Sequence, residues 1–257
     1  MAVSYSRQDA VGVITLDRPP ANSYDKGFLD EFNTSIDAAR WDADAKAILL
    51  RSASEKFFSA GADVAWFAKT DAAQQHLFVI HANEVMSKLE RTPKVVVAAI
   101  NGHCLGGGLE IALSCDFRIA ADGQYRIGLP EVTLGLLPGT GGTQRLPRLI
   151  GKQKALDLML RGTALAPAQA AELGIVDEVV PSADLQAKAL ERATAYASGP
   201  TLAIGRIKLA TVVGLGMPFA NGLAYEHEAV ARLFASEDAT EGFKSFAEKR
   251  KPQYKGR

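Results

Sequence analysis

The chain has 257 residues, 47% of them hydrophobic, enough to bury one large core and too apolar for a disordered tail. Lys plus Arg and Asp plus Glu both number 29, so the formal net charge is zero and no global field selects nucleic acid or an anionic membrane. The two cysteines, Cys104 and Cys115, match neither a zinc-ligand spacing nor a redox pair and read as buried free thiols of a reducing cytosol.

The opening MAVSYSRQDA has no apolar leader core, so the mature chain is expected to begin at or near Met1. Residues 11–17 alternate β-branched side chains as a strand does, and Pro19-Pro20 ends it. A helical pattern over residues 25–40 puts Phe28, Leu29, Phe32 and Ile36 on one side. Residues 46–51 form a short buried strand, and SEKFFSAGAD reads as a loop that pivots on Gly61. Residues 74–89 are helical, 94–100 an almost continuous apolar strand, and 116–120 a further strand beyond a glycine cluster and a short helix. The longest apolar run, Val95–Ile100, falls far short of the roughly 20 residues that span a bilayer, so a soluble cytoplasmic chain is expected. This rhythm is that of an α/β domain. After Pro181 only helix-like segments follow, at 184–198, 201–213, 218–234 and 237–250, whose apolar faces serve either to cover the core or to build an oligomer interface.

Chemistry concentrates in NGHCLGGGLEIALSC, residues 101–115. An apolar strand running into Gly106, Gly107 and Gly108 and then a helix leaves free N–H groups that suit an anion or a developing oxyanion. The same glycines also permit close helix–strand packing, and spacing does not separate the two readings. Glu110 is the one charge in that helix, so its carboxylate is either desolvated or faces a cavity, and desolvation moves a carboxyl pKa toward values useful in proton transfer. A satisfied structural carboxylate is the competing reading. Glu131 is a second acid in apolar surroundings, and two such acids either side of one strand suit a general acid and base pair.

Other signals are weak. No Lys-Ser/Thr follows the glycines as in a P-loop, and GTGGTQ (139–144) lacks the third glycine of a dinucleotide fingerprint. Ala231 stands where a zincin helix starting at His227-Glu228 needs its second His, His76 and His81 do not share a helical face, and no G-x-S-x-G elbow surrounds Ser59. The basic tail KRKPQYKGR (249–257) is solvated or grips a phosphate.

FFSAGAD (57–63), AAINGHCLGGGLEIALSCD (98–116), GLPEVTLGLLPGTGGTQRLPRLIG (128–151) and EGFKSFAEKRKPQYKG (241–256) together resemble the enoyl-CoA hydratase/isomerase (crotonase) superfamily, over essentially the whole chain. The resemblance implies an α/β fold of the ClpP/crotonase type, a spiral of ββα units over residues 1–195, with a C-terminal helical region (196–257) that forms homotrimers, usually paired into hexamers. It implies an acyl group carried as a coenzyme A thioester. By position, the N–H groups of Ala62 and Gly107 match the oxyanion hole, and Glu110 and Glu131 match the two glutamates of the hydratases. Lys56, with Ala60, Gly61 and Asp63 of the loop that follows, is assigned to substrate and CoA binding, and Tyr254 and Lys255 to the CoA of a neighbouring subunit.

The expected reaction is hydration of a trans-2-enoyl-CoA to a 3-hydroxyacyl-CoA by syn addition, with no metal or redox cofactor and coenzyme A as part of the substrate. Two preorganised N–H groups would hold the enolate, and one such donor is typically worth about 10²–10³ in rate. A Δ3,Δ2-enoyl-CoA isomerase on the same site is the nearest alternative. A non-catalytic or RNA-touching member of the fold is disfavoured by zero net charge and the lack of an aromatic-basic surface motif. The sequence departs from the commoner pattern at Asn22-Ser23-Tyr24 and at Trp66-Phe67; aromatics lining the acyl pocket there would restrict it.

Overall fold

The computed structural model describes residues 1–257. Six strands form the larger sheet, in the order β1 (Val3–Gln8), β2 (Val11–Leu16), β3 (Ala47–Ser52), β5 (Val95–Ile100), β7 (Phe117–Ala121) and β10 (Glu178–Val180). β1 and β2 pair antiparallel and all later neighbours are parallel. A second sheet holds β4 (Phe57–Ser59), β6 (His103–Leu105), β8 (Ile127–Gly128) and β9 (Ala164–Leu165), parallel except for β8 with β9. Parallel neighbours need crossovers. α3 (Ala72–Glu90) carries the chain from β4 to β5, and α4 (Gly107–Leu113) carries it from β6 to β7. Each pass thus lays one long strand in the first sheet and one short strand in the second before a helix returns, which is the ββα spiral of the crotonase fold.

The residues explain the placement. All six side chains of β5 are buried, as a central parallel strand covered on both faces requires. One cover is α8 (Leu185–Ala197), which packs on β3, β5 and β7 and buries Leu185, Ala189, Ala193 and Ala197, one residue per helical turn. Helix α1 (Lys26–Trp41) starts where Asp25 accepts the Phe28 N–H at 3.0 Å, and α3 starts at a reciprocal Asp71–Gln74 capping box. Both match the periodicity to within two residues.

Two expectations need correction. β1 was not foreseen, because VSYSRQ is an edge strand with only Val3 buried and little apolar alternation. The segment read as a loop contains β4, whose few pairings come from β6 rather than from a hydrophobic pattern of its own. Beyond β10 no strand follows: a 3₁₀ turn (Ser182–Asp184) leads into α8, and then come α9 (Thr201–Gly214), α10 (Phe219–Phe234) and α11 (Glu237–Ala247). The last three add little apolar surface to the core: α10 buries Ala229 alone, and α9 buries Gly205 and Lys208. Lys208 ties α9 to the sheet, its Nζ 2.7 Å from Asp116 Oδ2 and 2.9 Å from the Lys94 carbonyl.

Candidate active site

The loop 60–63 and the start of α4 meet edge to edge. A Cβ on Gly61 would lie 2.7 Å from the Gly107 nitrogen, so the two backbones are in direct contact. Gly61 has φ +88°, a conformation that glycine adopts without strain and that turns the loop over α4. The loop is clamped on its other side by Tyr24, whose N–H donates to the Gly61 carbonyl at 2.9 Å and whose carbonyl accepts the Asp63 N–H at 2.9 Å. Those two bonds flank Ala62 and leave its N–H without a partner in the chain, and Gly107, as the first residue of α4, has no intrahelical partner either. Ala62 and Gly107 therefore present two free backbone donors beside one another.

Glu110 lies one helical turn beyond Gly107, only 2% exposed. Its carboxylate is held from the 139–142 loop: Oε1 accepts the N–H groups of Thr140 (2.8 Å) and Gly142 (2.7 Å), and Oε2 accepts the Thr140 hydroxyl in a short contact. The glycine-rich GTGGTQ segment thus curls around a carboxylate rather than a phosphate. Burial pushes the Glu110 carboxyl above its ordinary value, while the Thr140 and Gly142 bonds and the Arg145 charge pull the other way. Arg145 is itself paired with Glu90 at 2.9 Å and donates to the Thr140 carbonyl at 3.1 Å, which steadies the loop.

Glu131 begins a 3₁₀ turn (Glu131–Leu134) and approaches from the other side of the glycines, its Oε1 2.9 Å from where a Cβ on Gly106 would stand. Its Oε2 is buried and has no hydrogen-bond partner. An unsatisfied buried carboxylate oxygen favours the protonated form. Burial raises the Glu131 pKa from its ordinary 4.5 to about 7, with the Glu110 charge adding to the rise. The structure therefore brings Ala62, Gly107, Glu110 and Glu131 to one place and distinguishes the two acids: one held by three hydrogen bonds, the other with a buried oxygen that has no partner.

The remaining predicted residues lie around or away from this centre. The Ala60 N–H is used internally, donating to Ala21 at 2.9 Å, and Asp63 caps α2 (Val64–Phe67) while facing Arg18 at 3.5 Å. Lys56 is exposed and lines a cavity of about 460 Å³ with Asn101, His103 and Asp122. The tail is pinned to α11, with the Lys255 and Gly256 N–H groups donating to Asp238 at 2.7 and 2.9 Å. Tyr254 and Lys255 thus have no partner among the carboxylate-site residues of their own chain. Trp66 and Phe67 both pack on Phe78, at 4.8 and 5.1 Å between ring centroids, and Phe78 stacks on Tyr24. Sequence reading missed Thr140 and Gly142 as the partners of Glu110, although both lie in a motif it had singled out. Tyr24 was noted only as a departure from pattern.

Residues 6–257 match the Enoyl-CoA hydratase/isomerase family. The chain is 38% identical over 250 residues to the short-chain-enoyl-CoA hydratase of Clostridium acetobutylicum, covering 97% of this chain and 95% of that one. It is 36% identical over 253 residues to the 2,3-dehydroadipyl-CoA hydratase of Escherichia coli, covering 98% of each. A crystal structure of an enoyl-CoA hydratase from Geobacillus kaustophilus superposes with a TM-score of 0.97 at 43% identity, over 100% of this chain and 97% of that one. With the fold, the paired acids and these relatives in agreement, the chain belongs to the enoyl-CoA hydratase/isomerase family.

Proposed function

We propose that the protein hydrates a trans-2-enoyl-CoA to the 3-hydroxyacyl-CoA, by syn addition of water between Glu110 and Glu131. The observation that carries this reading is the contrast between the two acids, set beside two free backbone donors. Glu110, held by three hydrogen bonds that favour its ionised form, takes the proton of the attacking water as oxygen bonds to C3. Negative charge then develops on the thioester oxygen, where the N–H groups of Ala62 and Gly107 stabilise it. Glu131, which retains its proton up to about pH 7, supplies it to C2. Water is added without net electron transfer, so the proposed step consumes no redox cofactor and relies on the two carboxylates for acid and base rather than on a metal; the coenzyme A belongs to the substrate.

We further propose that the chain acts as a trimer or a pair of trimers. α10 carries Phe219, Leu223, Val230 and Phe234 along one face, all exposed, and Phe243 and Phe246 of α11 extend the apolar surface. In such an assembly Tyr254 and Lys255 would serve a neighbour's coenzyme A, and Lys56 the coenzyme A of its own subunit.

The test is steady-state loss of enoyl thioester absorbance over short, medium and long acyl chains, with Glu110→Gln and Glu131→Gln beside wild type. Water-dependent turnover that both variants lose supports the proposal. An inert wild type that converts a 3-enoyl-CoA to its 2-isomer replaces it with the isomerase reading.

A further inference from the structure

A carboxylate offers about four lone-pair positions to donors. At Glu110, Oε1 spends both of its positions on the Thr140 and Gly142 N–H groups, and Oε2 spends one on the Thr140 hydroxyl. One position on Oε2 remains. The Thr140 hydroxyl has a single proton, and with that proton directed at Glu110 its oxygen can only accept. The group in reach is the Tyr24 hydroxyl, 3.3 Å away and 1% exposed as a residue, which has no other hydrogen-bond partner in the chain. With Glu110 as the ionised acceptor, the direction of the chain is fixed, from Tyr24 to Thr140 to Glu110.

Tyr24 is held where it must be for this. Its ring stacks on Phe78 at 5.9 Å and 15° and leans on Phe28 at 6.2 Å. Its backbone brackets Ala62, and its hydroxyl covers Gly107 so closely that a Cβ there would overlap it. A residue near the start of α1 thus touches both halves of the donor pair and, through Thr140, the base.

We propose that Tyr24 and Thr140 are positioning residues: their two hydroxyls form a directed chain that fixes Oε2 of Glu110 and leaves it a single site for the attacking water. The inference rests on the reading of Glu110 as the base. A hydrogen bond to the ionised form favours that form, and a chain of two polarises each link. The charged and titratable groups that face Glu110 are Glu131 from the 3₁₀ turn, Arg145 from α5 (Gly142–Ile150) with its partner Glu90 from α3, and Tyr24 itself.

The test follows the carboxyl resonances of full-length protein carrying ¹³C-labelled glutamate, with Glu110 assigned by its loss in Glu110→Gln, alongside the pH profile of kcat/KM for a 2-enoyl-CoA. Thr140→Val is expected to raise the Glu110 pKa by about one unit and Tyr24→Phe by about half as much, with Thr140→Ser restoring wild-type titration. The acidic limb of kcat/KM should move upward by the same amounts, with kcat in Tyr24→Phe down about 3–10-fold and KM within about twofold. A Tyr24→Phe protein that titrates as wild type overturns the chain, as does a Thr140→Ser protein that behaves like Thr140→Val. Should wild type hydrate no enoyl thioester, the hydratase reading fails, yet the carboxyl titration still decides whether the chain exists.

Discussion

The two acids of the site differ in what surrounds them, and the difference sets two measurable behaviours. Glu131 keeps its proton in the folded chain to about pH 7, whereas in the unfolded chain it loses it near 4.5. Between those values the native state binds the more protons, so this residue lowers stability as pH rises through the window. Glu131→Gln should therefore melt higher than wild type at pH 8, with the gap closing as the pH is lowered toward 5, as read by thermal denaturation at matched ionic strength. In the proposed hydration the same proton goes to C2 of the substrate. kcat/KM should rise on the acidic side as Glu110 ionises and fall above about pH 7 as Glu131 loses its proton. Glu110→Gln preserves the side-chain shape, and its amide oxygen can still accept the Thr140 and Gly142 N–H groups, so the protein should stay folded while kcat falls by about 10²–10⁴. A Glu110→Gln protein with wild-type kcat would remove Glu110 from the proton transfer.

Within the elements, the glycines of α4 are constrained by neighbours of different stiffness. A Cβ on Gly107 would strike the Tyr24 hydroxyl and ring, which are side-chain atoms; a Cβ on Gly108 would strike the carbonyl of Ser59 in β4, which is backbone. Gly108→Ala should consequently lose more stability than Gly107→Ala, on the order of the 1–3 kcal/mol or more typical of overpacking. In a Tyr24→Ala background, itself destabilised, Gly107→Ala should cost less than it does in wild type while Gly108→Ala costs the same, a comparison that chemical denaturation makes directly. This contrast also shows what a sequence can disclose. The long helices and buried strands were legible because their periodicities are local: the stripe Phe28, Leu29, Phe32 and Ile36 and the six buried residues of β5 declare themselves. Glu110 and Glu131 were legible as misplaced charges in apolar runs. Their contrasting surroundings were not, because the partners that distinguish them come from elsewhere: Thr140 lies 30 residues from Glu110, and Tyr24 lies 116 residues from Thr140. Strands such as β4, β8 and β9 are two or three residues long and owe their extended form to neighbours across the second sheet, so no periodicity could reveal them.

For the whole molecule, the decisive feature is where apolar surface remains. Phe219 and Phe234 of α10 are 82% and 65% exposed, and Phe246 of α11 is 87% exposed, so a lone chain would leave a broad greasy face in water. The same helices contribute almost nothing to the core, and α9 is tied to it by the buried Lys208–Asp116 pair and by the close approach of Gly205 to Pro93. A layer that neither covers the core nor faces solvent comfortably is suited to meeting copies of itself around a closed axis. Wild type should accordingly sediment as a trimer or hexamer, and Phe234→Glu with Phe246→Glu should shift the mass toward the monomer, since the charges would be desolvated on assembly. If Tyr254 and Lys255 grip the coenzyme A of an adjacent subunit, the dissociated variant should also show a raised KM for the thioester, while Glu110 and Glu131, both supplied by one chain, continue to turn over substrate at saturation. Sedimentation velocity run beside steady-state kinetics separates the outcomes: a monomer with unchanged KM would confine coenzyme A binding to a single chain, and an unshifted mass would move the interface away from α10 and α11.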